Sequence, residues 1–166
     1  MRLLTPHIII AVIFFSTFLS YKAQSDKIKV YFNNSVNNSG SSIVDAQSTQ
    51  GFRDTIIAYI NRTQNTLDVC NYNTGDLSIV NAINAAKNRG VTVRYIASNT
   101  ALGNNGQLNS LSSNIPRIQR PNDGEIMHNK FMIFDISNAS KATIMSGSTN
   151  HTNKSLSTDY NNLLFI

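Results

Sequence analysis

The chain has 166 residues, 41% of them hydrophobic and 14% charged, with a formal net charge of +5. That length fits one domain with a stable core, and the composition is that of a globular protein rather than a solvated, disordered one. A single cysteine excludes an internal disulfide framework and a cysteine-based metal site.

Met1-Arg2 supplies a short basic start, and Ile8 to Leu19 is an apolar run broken only by Ser16 and Thr17. The polar stretch Tyr21 to Asp26 follows it. This is the layout of a secretory signal peptide, with cleavage expected after Ala23, so that the product is secreted or periplasmic. An uncleaved anchor is the other reading, although the run is short for a bilayer span. Removing residues 1–23 takes away Arg2 and Lys22 and leaves 12 basic against 9 acidic residues. That mild excess suits an anionic substrate without identifying one.

The domain is expected to run from residue 27 to residue 166. Lys27 to Phe32 alternates as a first strand, and Asn33 to Ser42 reads as a loop. Gly51 to Arg62 places Phe52, Ile56, Ile57 and Ile60 on one helical face. Thr66 to Tyr72 is rich in strand formers, with Cys70 as a small buried hydrophobe. Asp76 or Ser78 can cap a helix that runs to Arg89 and is stopped by Gly90. Its buried face is Ile79, Val80, Ile83 and Ala86, and Val91 to Ala97 returns as a strand. Asn99 to Gly106 is a polar loop, Gln107 to Leu111 a helical turn, and Pro116 to Pro121 extended. Strands are expected at Ile126 to Ile136, Ala142 to Ser146 and Asn162 to Ile166. Strand, helix and strand with a glycine stop form a crossover unit. The fold class is therefore α/β, a mixed, largely parallel β-sheet with helices on both faces.

The chemistry is concentrated in His128-Asn129-Lys130-Phe131-Met132-Ile133-Phe134-Asp135. In a strand, residues i and i+2 share a face, so His128 and Lys130 point the same way. A lysine ammonium can hold a phosphoryl oxygen while an adjacent imidazole attacks phosphorus. Downstream stands Gly147-Ser148-Thr149-Asn150, where Ser148 and Asn150 share a side if the segment is extended. They would offer a hydroxyl and an amide to the same phosphate, with Gly147 permitting close backbone approach.

The combined pattern resembles the phospholipase D superfamily signature, His-x-Lys-x4-Asp-x6-Gly-Ser-x-Asn. It matches at His128, Lys130, Asp135, Gly147, Ser148 and Asn150, with eleven residues rather than six before the glycine. Ile136 to Lys141 reads as an enlarged hairpin turn that absorbs the difference. Thr66 to Val69 and Asn88 to Tyr95 are similar to further family segments.

The resemblance implies a sheet sandwiched by helices, and one half of a two-motif site. It implies a metal-free, cofactor-free displacement through a phosphohistidine on His128. Lys130, Ser148 and Asn150 would bind phosphate, and Asp135, the third member of the catalytic motif, would support the site structurally. A phospholipid head group or a nucleic acid is the implied substrate, with the phospholipase label favoured by family frequency. The other class of reading is a phosphate-binding module that has lost catalysis.

Two departures stand out. Asn161 occupies the place of a family Glu that orients the nucleophile. The mechanism also needs two histidine motifs, and this sequence holds one, so a homodimer or a missing second half is implied; the ending at Leu163 to Ile166, inside an expected core strand, points to a fragment. His151 is expected to pack at the pocket rim, and Glu125 to be a solvated loop acid.

Overall fold

The computed structural model describes residues 28–35, 51–99, 106–121 and 123–166. The expected signal peptide and its cleavage point lie outside the described residues, as do most of the Asn33 to Ser42 loop and of the Asn99 to Gly106 loop.

Seven strands form one sheet in the order β1-β7-β6-β5-β2-β3-β4. They are β1 (Lys29–Phe32), β2 (Thr66–Asn71), β3 (Thr92–Ala97), β4 (Arg117–Gln119), β5 (Lys130–Phe134), β6 (Thr143–Gly147) and β7 (Asn162–Phe165). Among the described residues three α-helices accompany them: α1 (Phe52–Arg62), α2 (Leu77–Asn88) and α3 (Asn153–Ser157). A 3-10 turn spans Leu108–Ser110.

The expected largely parallel sheet needs correcting. Only β2–β3 and β3–β4 run parallel, whereas β1–β7, β7–β6, β6–β5 and β5–β2 are antiparallel. The connections explain the difference. Parallel neighbours need a crossover, and α2 supplies one between β2 and β3. The tight turn at residues 135–142 instead folds β6 back on β5, closed by Asn138 N–H to Asp135 O at 2.8 Å and Lys141 N–H to Asn138 O at 2.9 Å.

Helices on both faces are also not found among the described residues. Tyr59 of α1 stacks on Phe165 at 3.8 Å and meets Phe134 at 5.7 Å, which places α1 on the face formed by alternate residues of β5 and β7. Helices α2 and α3 both pack against α1. Leu67, Val69, Val93, Tyr95, Met132, Met145 and Leu163 complete this core, joined by Ile56, Ile60, Ile79 and Ile83 from the helices. Each fully buried aliphatic side chain contributes roughly 1.5–3 kcal/mol. The opposite face carries Asp68, Arg94, Ile96 and Ile144, with Arg94 and Asp68 paired at 2.5 Å.

Local signals explain the element boundaries. Asp76 caps α2 by accepting from Ile79 N–H at 3.0 Å. Gly90 ends the same segment at φ 95°, a conformation side chains resist. Helix α3 was not expected from the sequence; Thr152 caps it, accepting from Ser155 N–H at 3.3 Å.

Candidate active site

The end of β2, the start of β5, the end of β6 and the start of β7 lie at one end of the sheet. Asn71 pairs with Lys130, and the Phe131–Ser146 register continues to place Gly147 on the other side of Lys130. Strand β5 starts at Lys130, so the expected strand from Ile126 is shorter. The approach is still held in line, since Tyr72 N–H donates to Asn129 O at 2.9 Å.

His128 is exposed, while Lys130 keeps only 9% of its surface in solvent. Lys130 Nζ donates to the carbonyl of His128 at 2.9 Å. Burial holds the Lys130 ammonium below its ordinary lysine range, because the charged form loses hydration. A half-sheltered cation under an open imidazole is an arrangement that favours an incoming anion, whose charge restores what hydration no longer supplies.

Gly147 is explained by the sheet rather than by a ligand. A Cβ placed there would collide with the Asn162 carbonyl of the neighbouring strand, so β7 can close on β6 only against a glycine. Ser148 is exposed and tied to the start of β7. Its Oγ donates to Asn161 Oδ1 at 2.8 Å and accepts from Asn162 N–H at 3.0 Å. Asn161 Nδ2 in turn donates to Ser155 O at 2.9 Å. Both ends of the Asn161 amide are therefore engaged away from His128. Asn150 is half-buried, and its Oδ1 is sealed from solvent without a hydrogen-bond partner among the described residues.

Asp135 stands apart from the others, at the far end of β5 and about 16 Å from Lys130 along an extended strand. Its carboxylate accepts from the N–H groups of Gln64 (3.1 Å), Asn65 (2.6 Å) and Thr66 (3.2 Å), which form the turn between α1 and β2. Burial alone would raise its pKa, but these donors outweigh burial and hold it below the ordinary carboxylate value. Asp135 sits at φ 50°, a left-handed conformation that Asp tolerates better than most residues.

His151 is not at a pocket rim. It is fully buried, with neither ring nitrogen hydrogen-bonded among the described residues, and burial pushes its pKa down to about 4. Its main chain clamps the site end: His151 N–H donates to Asn73 O at 3.0 Å, and His151 O accepts from Gly75 and Asp76 N–H at 2.8 Å each. Asn71 Oδ1 and Asn73 Oδ1 are also buried without a hydrogen-bond partner among the described residues. A polar layer therefore underlies His128 and Lys130, where buried unpaired groups are otherwise uncommon. Arg53 braces it from α1, reaching Asp76 Oδ2 at 2.6 Å and Asn153 Oδ1 at 2.7 Å.

Glu125 is exposed, and its N–H donates to Asp123 Oδ1 at 3.2 Å, as suits a solvated loop. Cys70 is buried on the sheet face opposite the helices, with Sγ 3.6 Å from Met127 Sδ, and burial raises its pKa.

Sequence reasoning missed Tyr72, whose ring meets His128 at 4.9 Å between centroids. The sequence marks it only as the last residue of a strand. An aromatic at the carboxyl end of a sheet strand was the one available signal.

The family model for the phospholipase D-like domain of cardiolipin synthase matches residues 56–166. No curated protein matches. Among solved structures, the chain is similar to Nuc from Salmonella typhimurium, a phospholipase D family member, with a TM-score of 0.56 and 22% identity over 84% of this chain and 81% of that one. NucT from Helicobacter pylori gives a TM-score of 0.56 and 19% identity, over 83% of this chain and 84% of that one. At these identities the structural likeness is one of fold. The family model covers more than half of the chain and includes the whole His128 to Asn150 segment. This chain therefore belongs to the phospholipase D-like family of phosphodiesterases.

Proposed function

We propose that the chain hydrolyses phosphodiesters through a covalent intermediate on His128, with a phospholipid head group as the substrate. The observation that carries the reaction is an exposed imidazole with a sheltered ammonium two residues on, the Lys130 Nζ held by donating to the His128 main-chain carbonyl at 2.9 Å. A ring nitrogen of His128 forms a bond to phosphorus, and the bond to the leaving alcohol breaks. An acid protonates that alcohol, and water then cleaves the phosphorus–nitrogen bond. Lys130 balances the charge gathering on the non-bridging oxygens, with Asn150 and Ser148 as further donors. Asp135 supports the strand that carries both groups. The match to a cardiolipin synthase domain supports the lipid reading.

A second reading, a nuclease, draws on the basic charge and on the fact that this chain spans most of the length of Nuc and NucT. In either case the leaving-group acid must come from elsewhere. His151 is sealed and neutral, which leaves His128 as the one solvent-facing imidazole among the described residues. A second copy in a two-fold dimer, or a second half, would supply it. The apolar leader supports export as the setting.

The test is hydrolysis of bis(p-nitrophenyl) phosphate in EDTA, followed by phosphatidylcholine vesicles and single-stranded DNA in parallel. Turnover of the model diester and of the vesicles upholds the proposal. Turnover of DNA alone replaces the substrate, and no turnover at any protein concentration returns the chain to a binding role.

A further inference from the structure

The orienting group for His128 is not where the family pattern places it. Asn161, at that position, binds Ser148 and the Ser155 carbonyl instead. Among the described residues, the side chain in contact with the His128 imidazole is Tyr72, with ring centroids 4.9 Å apart and planes at 61°. The same ring lies 5.4 Å from Lys130 Nζ. Tyr72 is itself half-buried and fixed in place, because its N–H is bonded to Asn129 O, the residue between His128 and Lys130. One aromatic ring therefore touches both groups of the motif, from a backbone position locked to the motif's own strand.

We propose that Tyr72 is the positioning residue for the nucleophile. Its ring restricts the plane of the His128 imidazole through an edge-to-face contact, a task for which the Asn161 amide is not available. An edge-to-face pair is directional, because the positive rim of one ring seeks the negative face of the other. An exposed imidazole without such a wall would sample several rotamers, and attack in line on phosphorus requires one. The ring, not the hydroxyl, does this. This inference rests on the reading of His128 as the nucleophile.

The experiment compares Tyr72→Phe and Tyr72→Leu with the parent chain, using two readouts. The first is the proton–carbon NMR resonance of His128 Cε1–H, which the Tyr72 ring current displaces. The second is kcat and KM for bis(p-nitrophenyl) phosphate. Tyr72→Leu should move the resonance toward its free-histidine position and lower kcat by about tenfold to a hundredfold with little change in KM, the signature of lost alignment. Tyr72→Phe should preserve both. An unmoved resonance and kcat in Tyr72→Leu would overturn the proposal, as would Tyr72→Phe being as damaging as Tyr72→Leu. If Tyr72→Leu does not fold, the parent chain decides: a cross-relaxation peak between the Tyr72 ring protons and His128 Cε1–H supports the contact, and its absence removes it. Should His128→Ala remain active, the functional reading fails while the NMR arm still reports on the contact.

Discussion

The two ends of β5 are built on opposite terms. At its start, Lys130 is largely sheltered, His128 is open, and Asn71, Asn73, Asn150 and His151 carry buried atoms with no partner among the described residues. At its far end, Asp135 has its carboxylate wrapped by three backbone N–H groups. One five-residue strand thus separates a frustrated end from a satisfied one. Under the proposed function, the motif's spacing divides labour: two residues would meet the ligand, and the third holds the strand that presents them.

The sharpest way to break this comparison is at the open end. His128→Ala should lose all measurable turnover with an unchanged circular dichroism spectrum and melting curve, since an exposed side chain leaves no cavity. Lys130→Ala should lower kcat by about a hundredfold to a thousandfold, the usual cost of removing one donor to a developing charge. Melting temperature is the control in both cases. Either variant unfolding instead would mean that the open end is structural after all.

The satisfied end should respond in the reverse sense. Asp135→Ala leaves the N–H groups of Gln64, Asn65 and Thr66 without their acceptor, and should cost about 2–4 kcal/mol in urea unfolding. Activity per folded molecule should be retained. A variant of normal stability and lost turnover would move Asp135 to the chemistry.

Acid should separate the two ends more gently. His151 has its folded pKa depressed to about 4, against about 6.5 when unfolded. The unfolded chain binds the proton that the folded chain refuses, so this contribution is complete above pH 6.5 and is lost as pH falls toward 4. Within that window the folding equilibrium should weaken by up to about tenfold per pH unit. Asp135, whose folded pKa is also lowered, adds its own loss as pH falls further through the carboxylate range. His151→Phe should flatten the first part of the profile, as read by urea titrations across pH 4–7. An unchanged profile would mean that His151 is solvated.

Much of this was legible in the sequence. The caps and stops of α2, at Asp76 and Gly90, are local chemistry, and the apolar positions of α1 and β3 follow their periods. The hairpin turn at residues 136–141 was read from the motif's own gap. Strand direction was not legible, because it depends on which connection crosses the sheet rather than on any strand's residues. Helix α3 has five residues, too few to show a period, and only Thr152 marks its start. The polarity of His151 suggests exposure at a rim, whereas its backbone bridges to Thr74 and its side chain is fully buried. Tyr72 reaches His128 across the β2–β5 pairing, a contact that neighbouring residues in the chain do not announce.

The central claim is that His128 becomes covalently bonded to phosphorus. Enzyme mixed with bis(p-nitrophenyl) phosphate, quenched in alkali within one turnover and digested for mass spectrometry, tests it directly. The account predicts a p-nitrophenyl phosphoryl adduct on the peptide containing His128, absent from His128→Ala. Full turnover without that adduct, or an adduct on another residue that persists in His128→Ala, would contradict it.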